Sequence, residues 1–249
     1  MNKKVLHIRQ FAFTIYSFCY FLYLALSMTI KGFILLTLRG SSEEHKMRYH
    51  QILQKKSKYV INHIPGTSFS YMNKSKDCID KPSIIICNHQ SHLDIMALLM
   101  LSPKIAILTK KWVWNNPFYG IVIRYADFFP ITETNELIER ISSMIEKGFS
   151  VVIFPEGTRS RDCRIQRFHR GAFYIAEKLQ LDILPIYIDG FGQVLPKESW
   201  HLHPGKLHLE IMTRIKREEV PSGCDYREMT KKMYHLYKEK RHEELRYHR

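Results

Sequence analysis

Two short segments of the sequence carry side chains that could perform acid–base chemistry and bind an anion. Residues 84–94 (IIICNHQSHLD) and 151–160 (VVIFPEGTRS) each start as an apolar run typical of a strand and end in a polar loop. The first loop holds His89 and, five residues later, Asp94, the residue types of a general base and of the carboxylate that orients it. This spacing alone is weak support. The predicted strand ends at Cys87, however, which puts His89 at the carboxyl edge of a sheet, where α/β proteins bind ligands.

Asp94 also has a purely structural interpretation. The run from Ser91 to Asp94 has the outline of a capping box, in which Ser91 caps a helix and Asp94 closes its first turn. His92 adds a third potential metal ligand, but His89, His92 and Asp94 match no zinc-binding spacing, so no metal site is expected. The chain contains no G-x-S-x-G elbow and no P-loop, which argues against a serine hydrolase and a nucleotide-binding loop.

The second segment has the composition of an anion-binding turn. Pro155 ends the strand and Gly157 permits a tight backbone turn, so that Glu156 and Arg159 emerge at the same sheet edge. A guanidinium in this position can bind a phosphate through two parallel hydrogen bonds. The alternative is an ordinary strand-to-loop turn with a surface salt bridge.

Composition limits the class of protein. The chain has 249 residues, of which 45% are hydrophobic, enough for one α/β domain with a core. A net charge of +14 favours anionic partners, either nucleic acid or the anionic face of a membrane. Nucleic acid is not expected, since neither zinc-finger spacing nor an RNP signature is present. The five cysteines form no C-x-x-C pair, which fits a reducing compartment.

The N-terminal region predicts a membrane anchor over residues 1–40. Residues 11–30 contain no charge and would span about 30 Å as a helix. Either a transmembrane span or a shallow helix pair broken near Lys31 and Gly32 fits this pattern. A cleaved signal peptide fits less well, because the apolar run is long, contains interfacial tyrosines and lacks a small-x-small cleavage site.

The rest of the chain alternates strands with helices, which predicts a single α/β domain with a mostly parallel central sheet flanked by helices. Strands are predicted within 61–81 and at 83–87, 105–109, 127–131, 150–154, 183–188 and 207–213. Helices are predicted at 41–62, 91–101, within 112–124, and at 135–147, 168–179 and 224–249. The predicted organisation is an anchor (1–40), a basic helix and leading strand segment (41–82), a catalytic core (83–215) and a basic C-terminal helix (216–249). That last helix is expected to be a solvated surface helix.

Taken together, the two segments resemble the glycerolipid acyltransferase family. NHQSHLD (88–94) resembles the family's first block, asparagine-histidine, four residues and aspartate, and FPEGTRS (154–160) matches its third block almost letter for letter. Lys110, Lys111 and the P-x-x-G of residues 117–120 resemble the lysine and the P-x-x-G that the family has between these two blocks. LPIYI (184–188) resembles the fourth block, so that the resemblance covers residues 83–190 in order.

The resemblance implies an O-acyltransferase that uses a thioester donor, either acyl-CoA or acyl-carrier protein, with no cofactor and no metal. His89 would deprotonate the acceptor hydroxyl while Asp94 orients the imidazole. The residues implied in substrate binding are Glu156, Gly157, Thr158, Arg159, Lys110, Lys111 and Arg170. The expected location is the cytoplasmic face of a bacterial inner membrane, in contact with anionic lipids.

The acceptor lipid is the open point. The family's typical acceptor is 1-acyl-sn-glycerol-3-phosphate, whose acylation gives phosphatidic acid in phospholipid biosynthesis. In this chain Thr132 stands where the family's second block has a phosphate-binding arginine, for which Arg124 or Arg170 could compensate. A lyso-aminolipid or a pigment-type lipid is the alternative acceptor. A non-catalytic membrane-binding module is the alternative from another class, and the presence of both His89 and Asp94 argues against it.

Overall fold

In the part of the chain that the structure describes, the fold is built on a seven-stranded sheet. The computed structural model describes residues 14–16, 19, 22–23, 25–38, 40–75, 79, 81–116, 120–199, 201–221 and 223–247. The strands are β1 (Thr67–Asn73), β2 (Ile84–Cys87), β3 (Ile105–Thr109), β4 (Phe129–Pro130), β5 (Ser150–Ile153), β6 (Ile183–Asp189) and β7 (Gly205–Ile211).

The strand order β1-β7-β6-β2-β5-β3-β4 puts β2 and β5 side by side at the centre. Only the β6–β7 pair is antiparallel among the paired strands of the described chain. This confirms the prediction of a mostly parallel sheet. Because β2, β5, β6 and β3 run in the same direction, the loops that follow them meet at one edge of the sheet.

Helices cover both faces of the sheet. Successive side chains of β2 point to opposite faces, and all of them are apolar, so both faces must be covered. Ile85 and Cys87 belong to one buried cluster and Ile84 and Ile86 to the other. The helices are α1 (Glu43–Asn62), α2 (Leu93–Leu99), α3 (Lys111–Trp114), α4 (Gly120–Tyr125), α5 (Thr134–Glu146), α6 (Gly171–Lys178), α7 (Phe191–Val194) and α8 (Tyr226–Tyr247), with a 3₁₀ turn at Arg217–Glu219. The first cluster includes side chains of α1, α2, α4 and α7, and the second includes those of α5, α6 and α8.

The C-terminal helix α8 is not the solvated surface helix expected from its charge. Met229, Met233 and Tyr237 lie one turn apart and are all buried, so they form a narrow apolar stripe within a charged sequence. The Tyr237 hydroxyl lies 2.7 Å from the Ile86 carbonyl oxygen and 3.0 Å from that of Ile186. The helix therefore packs across β2 and β6. Of these two strands, β2 is the one that leads to the predicted base, His89.

The predicted N-terminal anchor is described only in part, since residues 1–13 lie outside the described residues. Residues 25–32 are α-helical, and the chain continues as a π-helix over Phe33–Leu38. Of the two alternatives for this region, a helix pair broken near Lys31 and Gly32 does not fit this continuous helical run. Gly32 packs against the Tyr125 ring so closely that there is no room for a Cβ at this position. Within the described residues, no helix combines the length and the apolar character needed to cross a membrane.

Candidate active site

The loop after β2 is clamped to β6. The Asn88 side chain donates a hydrogen bond to the Ile188 carbonyl oxygen and accepts one from the Ile188 N–H, each at 2.9 Å. Asn88 is fully buried, so its amide takes the place of a strand neighbour just where β2 ends. This contact fixes the loop that carries the candidate base.

His89 and Asp94 form the pair predicted from the sequence. His89 Nδ1 lies 2.8 Å from Asp94 Oδ2, and Asp94 is fully buried. The same oxygen accepts the N–H groups of Gln90 (2.6 Å) and Ser91 (2.8 Å). Since the carboxylate can only accept, Nδ1 is assigned as the donor and Nε2 as the nitrogen that can take a proton.

The capping-box interpretation of the same residues holds only in part, because the N-cap of α2 is His92 and not Ser91. The Ser91 hydroxyl accepts the N–H of Leu93 at 3.3 Å, while Asp94 accepts the N–H of Ser91. The helix α2 begins at Leu93, two residues after Ser91, as often happens where cap and helix boundaries differ. Asp94 therefore closes the first helical turn and orients His89 at the same time.

One face of the imidazole is covered by Phe154, the residue that follows β5. The two rings are stacked with their centroids 4.0 Å apart and their planes 19° apart. The His89 side chain still keeps 16% of its surface exposed. The stacked ring fixes the orientation of the candidate base, and the exposed part leaves it accessible from solvent.

Glu156 is buried inside the protein. The sequence predicted that it binds substrate. Its carboxyl accepts the N–H of His89 at 3.2 Å and that of Gln166 at 3.3 Å. Burial raises the pKa of Glu156 to about 8, although these two donors act in the opposite direction. In this geometry Glu156 joins the loop of the base to the loop after β5, and its role in substrate binding stays a prediction.

The remaining residues of the second segment lie against the first. Gly157 has φ +65°, as the predicted tight turn requires, and the Ser160 N–H donates to the His89 carbonyl oxygen at 2.7 Å. Partial loss of hydration, followed by the charges of Arg159 and His89, lowers the pKa of His92. The Arg159 charge therefore acts on the loop that carries His89.

Lys197 is a cation of this region that sequence analysis missed. Its ammonium donates to the Arg159 carbonyl oxygen at 2.8 Å and to the Thr158 hydroxyl at 3.1 Å. The residue lies just after α7, a helix of four residues that carries no pattern long enough to predict. No sequence signal could have placed Lys197 beside Thr158, which is far away along the chain.

Three other cations predicted to bind substrate lie on other elements of the fold. Lys110 and Lys111 are exposed where β3 ends, at the same sheet edge but with β5 between them and β2. Arg170 is exposed before α6, and its charge is one of the causes that lower the pKa of Asp225, after the Glu228 N–H and other contacts.

Arg124 and Thr132 bear on the missing arginine. Arg124 Nη1 donates to the Trp114 carbonyl oxygen at 3.0 Å, so this guanidinium links α3 and α4. The Thr132 hydroxyl is buried and has no hydrogen-bond partner among the described residues. The contacts of Arg124 and Arg170 thus give no support to the idea that either one replaces the arginine.

Two other features of the molecule lie outside this site. A cavity of about 700 Å³ is lined by Glu177, Asp182 and Arg217, among others, and contains no residue of the His89 region. Among the described residues, one group of potential metal ligands consists of His208, Glu210 and Glu244. Lys240 and Lys74 pair with Glu210 at 2.8 and 2.9 Å. These two ammonium groups already neutralise the carboxylate, so a metal ion is not needed for that purpose.

Comparisons with known proteins find relatives among acyltransferases. A chloroplastic 1-acyl-sn-glycerol-3-phosphate acyltransferase of Brassica napus is 34% identical over 152 residues, which are 59% of this chain and 44% of that protein. The human 1-acyl-sn-glycerol-3-phosphate acyltransferase beta is 25% identical over 173 residues, 64% of this chain and 62% of the human protein. The chain spans less than half the length of four of the relatives that it matches, which come from Brassica napus, Arabidopsis thaliana, Chlamydomonas reinhardtii and Cocos nucifera.

A solved structure shares the fold over nearly the whole chain. The crystal structure of the 1-acyl-sn-glycerophosphate acyltransferase PlsC from Thermotoga maritima superimposes with a TM-score of 0.75 and 24% identity, covering 96% of this chain and 97% of that one. A model of the acyltransferase family matches residues 50–189, which include His89, Asp94 and the loop 154–160. Because this match covers more than half of the sequence and its motifs form one site, the chain belongs to the acyltransferase family.

Proposed function

We propose that this protein transfers a fatty acyl group from a thioester to the free hydroxyl of 1-acyl-sn-glycerol-3-phosphate, giving phosphatidic acid for phospholipid biosynthesis. The observation that carries the proposal is the 2.8 Å contact between His89 Nδ1 and the buried Asp94, at a sheet edge next to a cationic loop. The names of the relatives support the same reaction.

The geometry supports direct attack by the acceptor. His89 Nε2 takes the proton of the acceptor hydroxyl, and the oxygen attacks the thioester carbonyl to form a tetrahedral oxyanion. Collapse of this intermediate breaks the carbon–sulfur bond, and the leaving thiolate takes the proton back from His89. Asp94 holds the imidazole in the required tautomer and stabilises the imidazolium between the two steps. The step balances without a cofactor or a metal.

Charge supports an anionic acceptor and donor. Arg159 and Lys197 bring two positive charges to the loop beside His89, where a phosphate could accept charge-assisted hydrogen bonds. Lys110 and Lys111 extend the positive region along the sheet edge. Acyl-CoA and acyl-carrier protein are both anionic donors that such a region attracts.

Apolar side chains support attachment to a membrane surface. Leu26, Ile30 and Ile34 are 58%, 49% and 42% exposed on the N-terminal helical segment. Exposed apolar groups on a helix, in a chain with a net charge of +14, are typical of proteins that lie in the interface of an anionic bilayer. Since both proposed donors are cytosolic, we place the enzyme at the cytoplasmic face of the bacterial inner membrane.

A different lyso-acceptor is the second candidate, and Thr132 favours it, because the arginine expected there would bind the phosphate. The deciding experiment offers the purified enzyme 1-acylglycerol-3-phosphate, 1-acylglycerol and a lyso-aminolipid bearing a carboxylate, with a labelled acyl donor. We expect a kcat/KM at least ten-fold higher for the phosphate acceptor. Equal or faster acylation of either phosphate-free lipid would assign the enzyme to the second candidate.

A further inference from the structure

The C-terminal helix α8 reaches the carboxyl edge of the sheet through a charged pair. Arg241 donates a hydrogen bond to Asp189, the last residue of β6, and the two side chains are only 13% and 11% exposed. One turn earlier on the same helix, Tyr237 binds the carbonyl oxygens of Ile86 and Ile186. Tyr237 holds α8 across the strands, and this fixes where the Arg241 guanidinium lies.

Asp189 in turn contacts the loop that carries the base. Gln90 Nε2 lies 3.4 Å from Asp189 Oδ1 and 3.3 Å from the Ile188 carbonyl oxygen, while Gln90 Oε1 accepts the N–H of Gly192 at 3.3 Å. The Gln90 side chain is thus held by three groups of β6 and the turn after it, and the residue is 1% exposed.

The backbone of Gln90 completes the connection. Its N–H donates to Asp94 Oδ2 at 2.6 Å, and the same oxygen orients His89. A continuous set of contacts therefore runs from Arg241 through Asp189, Gln90 and Asp94 to the imidazole. Arg241 lies outside residues 50–189, so the family match does not include it.

We propose that Arg241 is a positioning residue, which keeps the loop of residues 88–91 in its catalytic conformation by neutralising and orienting Asp189. Without the guanidinium, Asp189 would be a nearly buried carboxylate that pairs with no cation among the described residues. Entry of water or rotation of the carboxylate would lower the cost of this buried charge. Either change would weaken the hydrogen bond between Asp189 and Gln90. The kinetic consequence rests on the proposed function, whereas the effect on the loop does not.

The first test uses full-length Arg241→Met with Lys240→Met as its matched control. Lys240 is the adjacent cation of the same helix, and its ammonium pairs with Glu210 on β7, away from the loop. We expect Arg241→Met to lower kcat by about 10-fold with the acceptor KM changed less than two-fold, since the base is misplaced while binding is kept. Arg241→Lys should recover part of kcat, and Lys240→Met should stay within two-fold of the unsubstituted enzyme.

The second measurement is amide hydrogen exchange of the peptide that covers residues 84–94. Exchange at the amides of Gln90 and Ser91 should speed up at least ten-fold in Arg241→Met and remain unchanged in Lys240→Met. Unchanged exchange and unchanged kcat in Arg241→Met would overturn the inference. If the unsubstituted protein fails to acylate 1-acylglycerol-3-phosphate, the proposed function fails, and the exchange result alone still decides the inference.

A pair of double variants covers the case in which Arg241→Met does not fold. Arg241→Met/Asp189→Asn and Arg241→Met/Asp189→Ala both remove the charged pair, but only the asparagine keeps an oxygen that can accept from Gln90. We expect slow exchange at residues 90 and 91 in the first double variant and fast exchange in the second. Equal exchange in the two would show that Asp189 does not act through Gln90.

Discussion

At the scale of single residues, Asp94 uses one oxygen atom for two tasks. Oδ2 accepts two backbone N–H groups of its own loop together with His89 Nδ1, while Oδ1 has no partner among the described residues. Asn in this position could keep the shape, but it could not stabilise the imidazolium. We therefore expect Asp94→Asn to lower kcat by about 10²–10⁴-fold, the contribution of an oriented general base, with a melting temperature close to that of exposed Asp162→Asn. A kcat within three-fold of the unsubstituted enzyme would rule out this role.

Glu156 predicts a pH dependence of stability. Burial raises its pKa from 4.5 to about 8, so the folded protein keeps a proton that the unfolded chain releases between these two values. The free energy of unfolding should therefore fall as pH rises from about 4.5 to 8, by on the order of a few kcal/mol. Urea unfolding of Glu156→Gln should lack most of this slope, whereas exposed Glu198→Gln should retain it. A slope unchanged by Glu156→Gln would mean that Glu156 ionises normally.

Arg159 tests the anion site. Arg159→Ala should raise the acceptor KM by a factor that corresponds to about 1.5–3 kcal/mol, the strength of a hydrogen bond to a charged group. Arg159→Lys should recover only part, because an ammonium cannot form two parallel bonds. Steady-state kinetics with Arg164→Ala, an 83% exposed arginine nearby in the chain, provides the control. An equal rise in KM for both alanine variants would contradict a specific site at Arg159.

At the scale of elements, helix α8 supports β2, the strand that leads to His89. Tyr237→Phe removes the hydroxyl that lies between two buried carbonyl oxygens of neighbouring strands. We expect the free energy of unfolding to fall by about 1–2 kcal/mol. Tyr234→Phe, one turn closer to the N-terminus and partly exposed, should change it by less than about 0.5 kcal/mol. Equal denaturation midpoints for both variants would show that the Tyr237 hydroxyl adds no stability.

The sequence predicts the elements that have a strong local pattern. β3 (Ile105–Thr109) has the predicted bounds, and β2 and β5 differ from theirs by one residue, because continuous apolar runs between polar loops are typical of buried parallel strands. The apolar stripe of α8 was missed because three buried side chains are spread over two turns of charged residues. A periodicity this sparse does not distinguish a docked helix from a solvated one.

The His89–Asp94 pair was predicted because both residues lie within one loop and one helical turn. The contacts that hold this loop were not, since Asn88 meets Ile188 and Glu156 meets His89 only after the sheet has formed. Residue types do not specify pairs that lie far apart along the chain. The inward orientation of the Glu156 carboxyl could not be predicted for the same reason, because its partner His89 is distant along the chain.

At the scale of the whole molecule, the N-terminal segment tests membrane attachment. Leu26, Ile30 and Ile34 are exposed one turn apart, so replacing all three by Glu should sharply lower the fraction bound to anionic vesicles at high salt, where basic residues alone bind weakly. Tyr71→Glu/Met72→Glu, on the exposed side chains of β1, should leave binding unchanged. Sedimentation with vesicles measures the bound fraction of both variants. If the triple variant binds as well as the unsubstituted protein, another part of the molecule makes the attachment.

The central claim is that His89 is the base for acyl transfer to a lysolipid, and single-turnover acylation of 1-acylglycerol-3-phosphate tests it most directly. His89→Ala would be compared with the unsubstituted enzyme and with His63→Ala, a residue at the exposed C-terminal end of α1. We expect His89→Ala to fold normally and to lose about 10²–10⁴-fold in the rate of transfer, while His63→Ala keeps the full rate. A folded His89→Ala enzyme that transfers the acyl group at the unsubstituted rate would contradict the mechanism.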